Sequence, residues 1–172
     1  ATVIDLAFEN GTDSRVINGF VENSRQRKKW ALHKVHERVI NFIEDPKIAV
    51  LGLAYKENTK SIKNSAAVEL IQNLKPFRVS AYDPVVDFSP IDHPILIKAE
   101  NPIAAAQNAD VVVLMTPWPD FKLISVQELA EAMVGKIVID PYALLDETMC
   151  RKAGFEYHTL GKSPQGIDAV NA

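Results

Sequence analysis

Apolar residues Val3, Ile4, Ala7 and Phe8 recur at helical spacing and stop at an Asn10-Gly11 turn signal, which predicts a short helix near the start of the chain. A longer helix follows. Thr12 or Asp13 would cap it, Val16, Ile17, Phe20, Val21, Val35, Val39, Ile40, Phe42 and Ile43 fit its period, and Asp45-Pro46 ends it. About thirty residues at 1.5 Å each reach roughly 45 Å, so such a helix connects to or packs against something else. From residue 47 the pattern changes. IAVL, RVSAY (78–82), VVVLM (111–115) and KIVID (136–140) read as strands, and AAVELIQNL (66–74), NPIAAAQNA (101–109) and VQELAEAM (126–133) as helices. Strands that are apolar throughout and separated by helices belong in a parallel sheet covered on both faces. The expected fold is therefore α/β: a Rossmann-like parallel sheet over residues 46–172, preceded by a long helical segment over 1–45.

With 172 residues and 47% hydrophobic composition, the chain can build one good core plus an extension. A formal net charge of −3 argues against a general nucleic-acid surface. No run approaches the roughly 18 apolar residues of a membrane span, and ATVIDLAFEN lacks a secretory pattern, so the expected location is cytoplasmic. Cys150 is the single cysteine, which excludes an internal disulfide; its neighbours MCRKAG resemble the exposed end of a helix, and it reads as a bystander. His33 and His36 lack a carboxylate or cysteine set at ligand spacing and read as surface histidines.

Parallel sheets bind ligands beyond the carboxyl ends of their strands. There the first strand is followed by GLAYKENTKSIKNS (52–65), which sets Lys56, Lys60 and Lys63 beside a helix start, a combination suited to a phosphate or pyrophosphate. Tyr55 would stack on a base, offer its backbone N–H, or simply pack under the loop. One glycine stands where a pyrophosphate-hugging turn wants three, so a standard NAD site within this chain is not expected, and Lys56 lacks the surroundings of a Walker A lysine. Asp83, before Pro84, reads as a turn former, with a contact to ribose hydroxyls as the alternative, and Asp140 and Asp146 as turn or cap residues. Trp118 and Phe121 would wall a pocket or fill the core. The basic run NSRQRKKW (23–30) reads as a solvated helix face, with a phosphate or partner contact as the alternative.

The same segments resemble the C-terminal part of the UDP-glucose/GDP-mannose dehydrogenase family. GLAYKENTKSIKNS is similar to its G-[LF]-[AS]-[FY]-K-x-x-T-x-D-x-R-x-S signature, NSRQRKKW to N-x-x-Q-[RK] on its long central helix, and TPWPDF to T-x-W-x-x-F. YDP (82–84) matches a strand end, IDPYALLD the turn D-x-R-x-x-[LY]-D, and YHTLGK the closing strand. The resemblance implies an enzyme that oxidises the C6 hydroxyl of a nucleotide sugar to a carboxylate in two NAD-dependent steps, through a cysteine-linked thiohemiacetal and thioester. By this alignment the G-G-x-C motif, the general-base lysine and asparagine and the GxGxxG are absent here, and Cys150 matches none of them.

Carried over by position, Tyr55 and Lys56 would contact the substrate's diphosphate, and Lys63 would stand where an arginine reaches NAD, a cofactor bound mainly by a domain absent from this chain. Ser61 replaces an aspartate, and Tyr142 and Ala143 stand where a substrate-binding arginine is expected. The resemblance implies a nucleotide-sugar substrate, a UDP-sugar above all, a homodimer formed through the long helix, and no turnover by this chain alone. The alternative is a non-catalytic Rossmann-like module for dimerisation or interaction that has lost nucleotide binding.

Overall fold

The computed structural model describes residues 2–162. The end of the predicted 46–172 unit, residues 163–172, lies outside them. Helix α1 (Val3–Glu9) starts with a capping box, in which Thr2 and Asp5 exchange side-chain and backbone hydrogen bonds. Helix α2 (Arg15–Val35) is shorter than the pattern suggests, and a π-helical turn over His36–Ile40 continues it. Its N-cap is Ser14, whose side chain makes no capping bond. Asp13 serves the start of the helix from one residue earlier: its carboxylate accepts the Arg15 N–H at 2.9 Å and also grips the Arg15 guanidinium.

The helical lead-in is divided by burial. Ala31, Val35 and Val39, four residues apart on one stripe, are sealed into the core, while Val3, Phe8, Val16 and Phe20 are between 63% and 87% exposed. The C-terminal half of α2 is thus part of the α/β core, and the N-terminal half stands clear of it.

Six strands follow: β1 (Lys47–Leu51), β2 (Arg78–Tyr82), β3 (Leu96–Lys98), β4 (Val111–Leu114), β5 (Ile137–Ile139) and β6 (Glu156–His158). All pair in parallel in the order β3-β2-β1-β4-β5-β6, the doubly wound arrangement. The expected Rossmann-like sheet is present, with β3 added at its edge. Strand β1 is central, pairing Leu51 with both Tyr82 and Leu114, and the direction of winding reverses between β1 and β4.

Helices α3 (Ala66–Asn73), α4 (Pro102–Ala106), α5 (Val126–Ala132) and α6 (Glu147–Lys152) connect the strands. Right-handed crossovers put α3 on one face, where α2 packs on it and on β5, and α4 with α5 on the other, where α4 packs on β1 and β2. Serine, asparagine or aspartate side chains cap all four: Ser65, Asn101, Ser125 and Asp146 each accept a backbone N–H of the first turn. Asp146 therefore acts as the cap its position suggests. No helix among the described residues is long and apolar enough to cross a membrane.

Candidate functional site at the carboxyl ends of the strands

The winding reversal leaves a crevice at the strand ends, and the turns around it are fastened to one another. Gly52, at φ 85°, brings its backbone so close to the β4 turn that a Cβ there would lie 2.6 Å from Thr116 Cβ and 2.8 Å from Thr116 N. The Thr116 hydroxyl donates to the Ala54 carbonyl at 2.8 Å, and the Ser65 hydroxyl donates to the Leu53 carbonyl at 2.7 Å. Residues 52–65 are pinned at both ends. Asn58 and Asn64 turn the chain with φ near 60°, a conformation asparagine tolerates.

Asp83 joins three of these turns. Its buried carboxylate accepts five N–H groups: Leu53 at 2.7 Å, Ala54 at 3.1 Å, Val85 and Val86 at 2.9 Å each, and the Trp118 indole at 3.1 Å. It is a turn former, as its place before Pro84 suggests. Every lone pair that would meet a ribose hydroxyl is spent on the protein, and Gly52 packs against Thr116. The usual dinucleotide cradle, NAD's included, does not fit this first βα turn.

Asp140 plays the same part after β5. It is fully buried and accepts the N–H groups of Tyr142, Leu144 and Leu145 at 3.2, 2.7 and 2.9 Å and the Tyr157 hydroxyl at 2.8 Å. Burial first, then the Asp140 charge, push the Tyr157 phenol well above its ordinary value. Cys150, expected at an exposed helix end, is instead sealed in the core, because α6 turns that side of its helix inward. Burial, with the Asp140 charge next, pushes its thiol up to about 12, which makes it a poor nucleophile.

The lysine loop faces outward. Tyr55 is 55% exposed and its N–H donates to the Ser61 carbonyl at 2.8 Å, so the backbone donor is occupied and only the ring is free. Lys56 and Lys63 are exposed, and among the described residues neither makes a salt bridge. Lys60 lines a shallow cavity of about 380 Å³ with Asn58, Thr59, Val85 and Trp118. The loop thus shares an edge with the Asp83 turn and Trp118. Trp118 and Phe121 are each both a core residue and a cavity wall, Trp118 at this cavity and Phe121, 6.2 Å from the Tyr82 ring, at a larger one.

Two further cavities open at this edge. One, of about 640 Å³, lies between Tyr82, Pro84, Asp120, Phe121 and the first turns of α4 and α5. The other, of about 350 Å³, lies between α2 and the turns after β4 and β5, and brings Arg27 and Lys28 opposite Met115, Pro141 and Tyr142. His33 on α2 and His36 at the start of the π-helical turn are exposed.

Comparison with known proteins places this arrangement. Residues 49–147 match the UDP-glucose/GDP-mannose dehydrogenase family, UDP binding domain. The UDP-glucose 6-dehydrogenase of Rickettsia conorii is 27% identical over 162 residues, 91% of this chain and 38% of the relative; that of Caenorhabditis elegans is 31% identical over 157 residues, 83% of this chain and 32% of the relative. The chain therefore spans well under half the length of these curated relatives. Among solved structures, a UDP-glucose dehydrogenase from Pyrobaculum islandicum superposes with a TM-score of 0.71 at 22% identity, over 90% of this chain and 34% of that one, a likeness of fold. The UDP-D-ManNAc dehydrogenase from Pyrococcus horikoshii gives 0.65 at 25% identity, over 80% and 31%. With its sheet order, its pinned loop and a match across residues 49–147, the chain belongs to the UDP-glucose/GDP-mannose dehydrogenase family.

Proposed function

We propose that this chain is the nucleotide-sugar-binding C-terminal part of an NAD-dependent nucleotide-sugar 6-dehydrogenase, one that oxidises the sugar C6 hydroxyl to a carboxylate. The observation that carries the reading is the family's UDP binding domain match over residues 49–147, which opens on the pinned loop 52–65, where Lys56 and Lys63 make no salt bridge among the described residues. A UDP-sugar is the substrate. Lys56 meets its diphosphate as a mobile point charge, and the exposed ring of Tyr55 forms a wall beside it. Lys63 reaches toward NAD, which is held mainly by another part of the whole protein, since Asp83 and Gly52 are committed to other contacts.

By itself the chain has no turnover, because its cysteine is buried with a raised pKa. The whole protein works in the cytoplasm as a homodimer, and the exposed apolar groups Val3, Phe8, Val16 and Phe20 of the helical lead-in favour a second copy as the cover of that surface. Residues 1–45 and 46–172 then serve as pairing segment and binding domain. The test is a thermal shift assay: UDP raises the melting temperature and Lys56→Ala removes most of the shift. An equal shift in the variant would remove Lys56 from the site, and steady NADH production from UDP-glucose and NAD would contradict the absence of turnover.

A further inference from the structure

We propose that a phosphate group of the bound nucleotide is taken by Arg27 of α2, in the 350 Å³ cavity between that helix and the turns after β4 and β5. The ligand's identity rests on the nucleotide-binding reading above, but the anion site does not. The chain has six arginines, and five are paired: Arg15 with Asp13, Arg25 with Glu22, Arg38 with Glu156, Arg78 with Asp45 and Arg151 with Glu147. Arg27 is the sixth. Among the described residues it has no carboxylate partner, and neither has its neighbour Lys28. Both line the cavity, and no acidic side chain lines it with them.

The remaining walls suit a phosphate. Ser24 and Tyr142 bring hydroxyl groups that donate to an anion. Burial pushes the Tyr142 phenol above its ordinary value while the Arg27 charge works against that, so the two groups share one electrostatic environment and the tyrosine stays a neutral donor. Ala66, the first residue of α3, lines the same space, so the positive end of that helix borders it, although the Ala67 and Val68 N–H groups are taken by the Ser65 hydroxyl. The cavity also sits where Met115 leaves β4 and Pro141 leaves β5, one strand from the winding reversal where doubly wound sheets bind their ligands. A guanidinium offers a phosphate two parallel N–H donors, which a solvated surface arginine leaves unused.

The test is calorimetric titration of the chain with UDP and, separately, with inorganic pyrophosphate. Wild type is compared with Arg27→Gln, Arg27→Lys, Lys56→Ala and Arg25→Gln, the last removing an ion-paired charge from the same helix. We expect Arg27→Gln to weaken both ligands on the order of 10- to 100-fold, the loss of a charged hydrogen bond, with Arg27→Lys between it and wild type. Arg25→Gln should stay within about twofold of wild type. Equal UDP affinity in wild type and Arg27→Gln overturns the site and leaves nucleotide binding standing. Equal losses for Arg25→Gln and Arg27→Gln also overturn it, since general charge would then explain both. Pyrophosphate binding that depends on Arg27 without any UDP binding upholds the site and defeats the nucleotide reading. Silence toward both ligands defeats the site as well.

Discussion

The Trp118 indole N–H donates to the same Asp83 oxygen, Oδ2, that receives the N–H groups of Leu53 and Ala54. One carboxylate thereby ties the loop after β1 to the turn after β4, thirty-five positions along from itself. The lysine loop gains its fixed position from this knot. Its exposed side chains follow a backbone fastened at Leu53 and Ala54.

Asn at position 83 keeps the size of the side chain but replaces one acceptor oxygen with a donor NH₂. Up to three of five N–H groups lose their partner, and the new amide faces donors. Asp83→Asn should cost about 2–4 kcal/mol in urea unfolding, with a change in Trp118 fluorescence in the folded state. A loss under about 1 kcal/mol would contradict the central place given to this residue.

Gly52 is held to its φ of 85° with Thr116 backbone and side chain against it. Gly52→Ala combines a left-handed strain of about 1–2 kcal/mol with an overlap of about 1–3 kcal/mol. The variant should be destabilised by roughly 2–5 kcal/mol, measured by the same unfolding titration. Thr116→Ser, which keeps the Cβ, the N–H and the hydroxyl that make the overlap, should not relieve it.

Cys150 gives a pH dependence with a definite sign. The unfolded thiol ionises near 9.0, whereas burial and the Asp140 charge hold the folded one protonated to about 12. The folded state therefore binds more protons between these values, and stability falls as pH rises through that window while being fully present below it. Comparison with Cys150→Ala isolates the effect, since the variant lacks this part of the slope. The native thiol should also react with a thiol reagent only as fast as the protein opens. Rapid native labelling would contradict its burial.

Strands β1, β4 and β5 are legible in the sequence because each carries an apolar run buried on both faces, and β2 because Val79, Ala81 and Tyr82 surround a single buried serine, Ser80. Strand β3, only Leu96–Lys98 and largely exposed, sits at the sheet edge and has no such run; its pairing with β2 makes it a strand. Strand β6 emerges only through the resemblance of YHTLGK to a family segment. The helical period covers both a buried stripe and an exposed one on α2, and periodicity alone does not tell which is sealed.

The candidate site was legible in part. The loop 52–65 and the turns at Asp83, Thr116 and Asp140 do converge on one edge, as expected from strands that all end there. The Asp83 and Asp140 carboxylates are consumed in holding the turns together, in line with reading both as turn residues. The Arg27 cavity carried a signal that composition hides. On a helix the partners of residue 27 are positions 23, 24, 30 and 31, here Asn, Ser, Trp and Ala, so no acid is available to it, whereas Arg25 has Glu22. The approach of α2 to the β5 turn is a tertiary contact, and no local pattern encodes it.

The most direct test of nucleotide binding at this crevice is calorimetric titration of the chain with UDP, GDP and NAD in turn. Nucleotide binding predicts saturable heat with UDP, reduced on the order of tenfold or more by Lys56→Ala. Silence toward all three ligands would contradict it and would favour a non-catalytic interaction module.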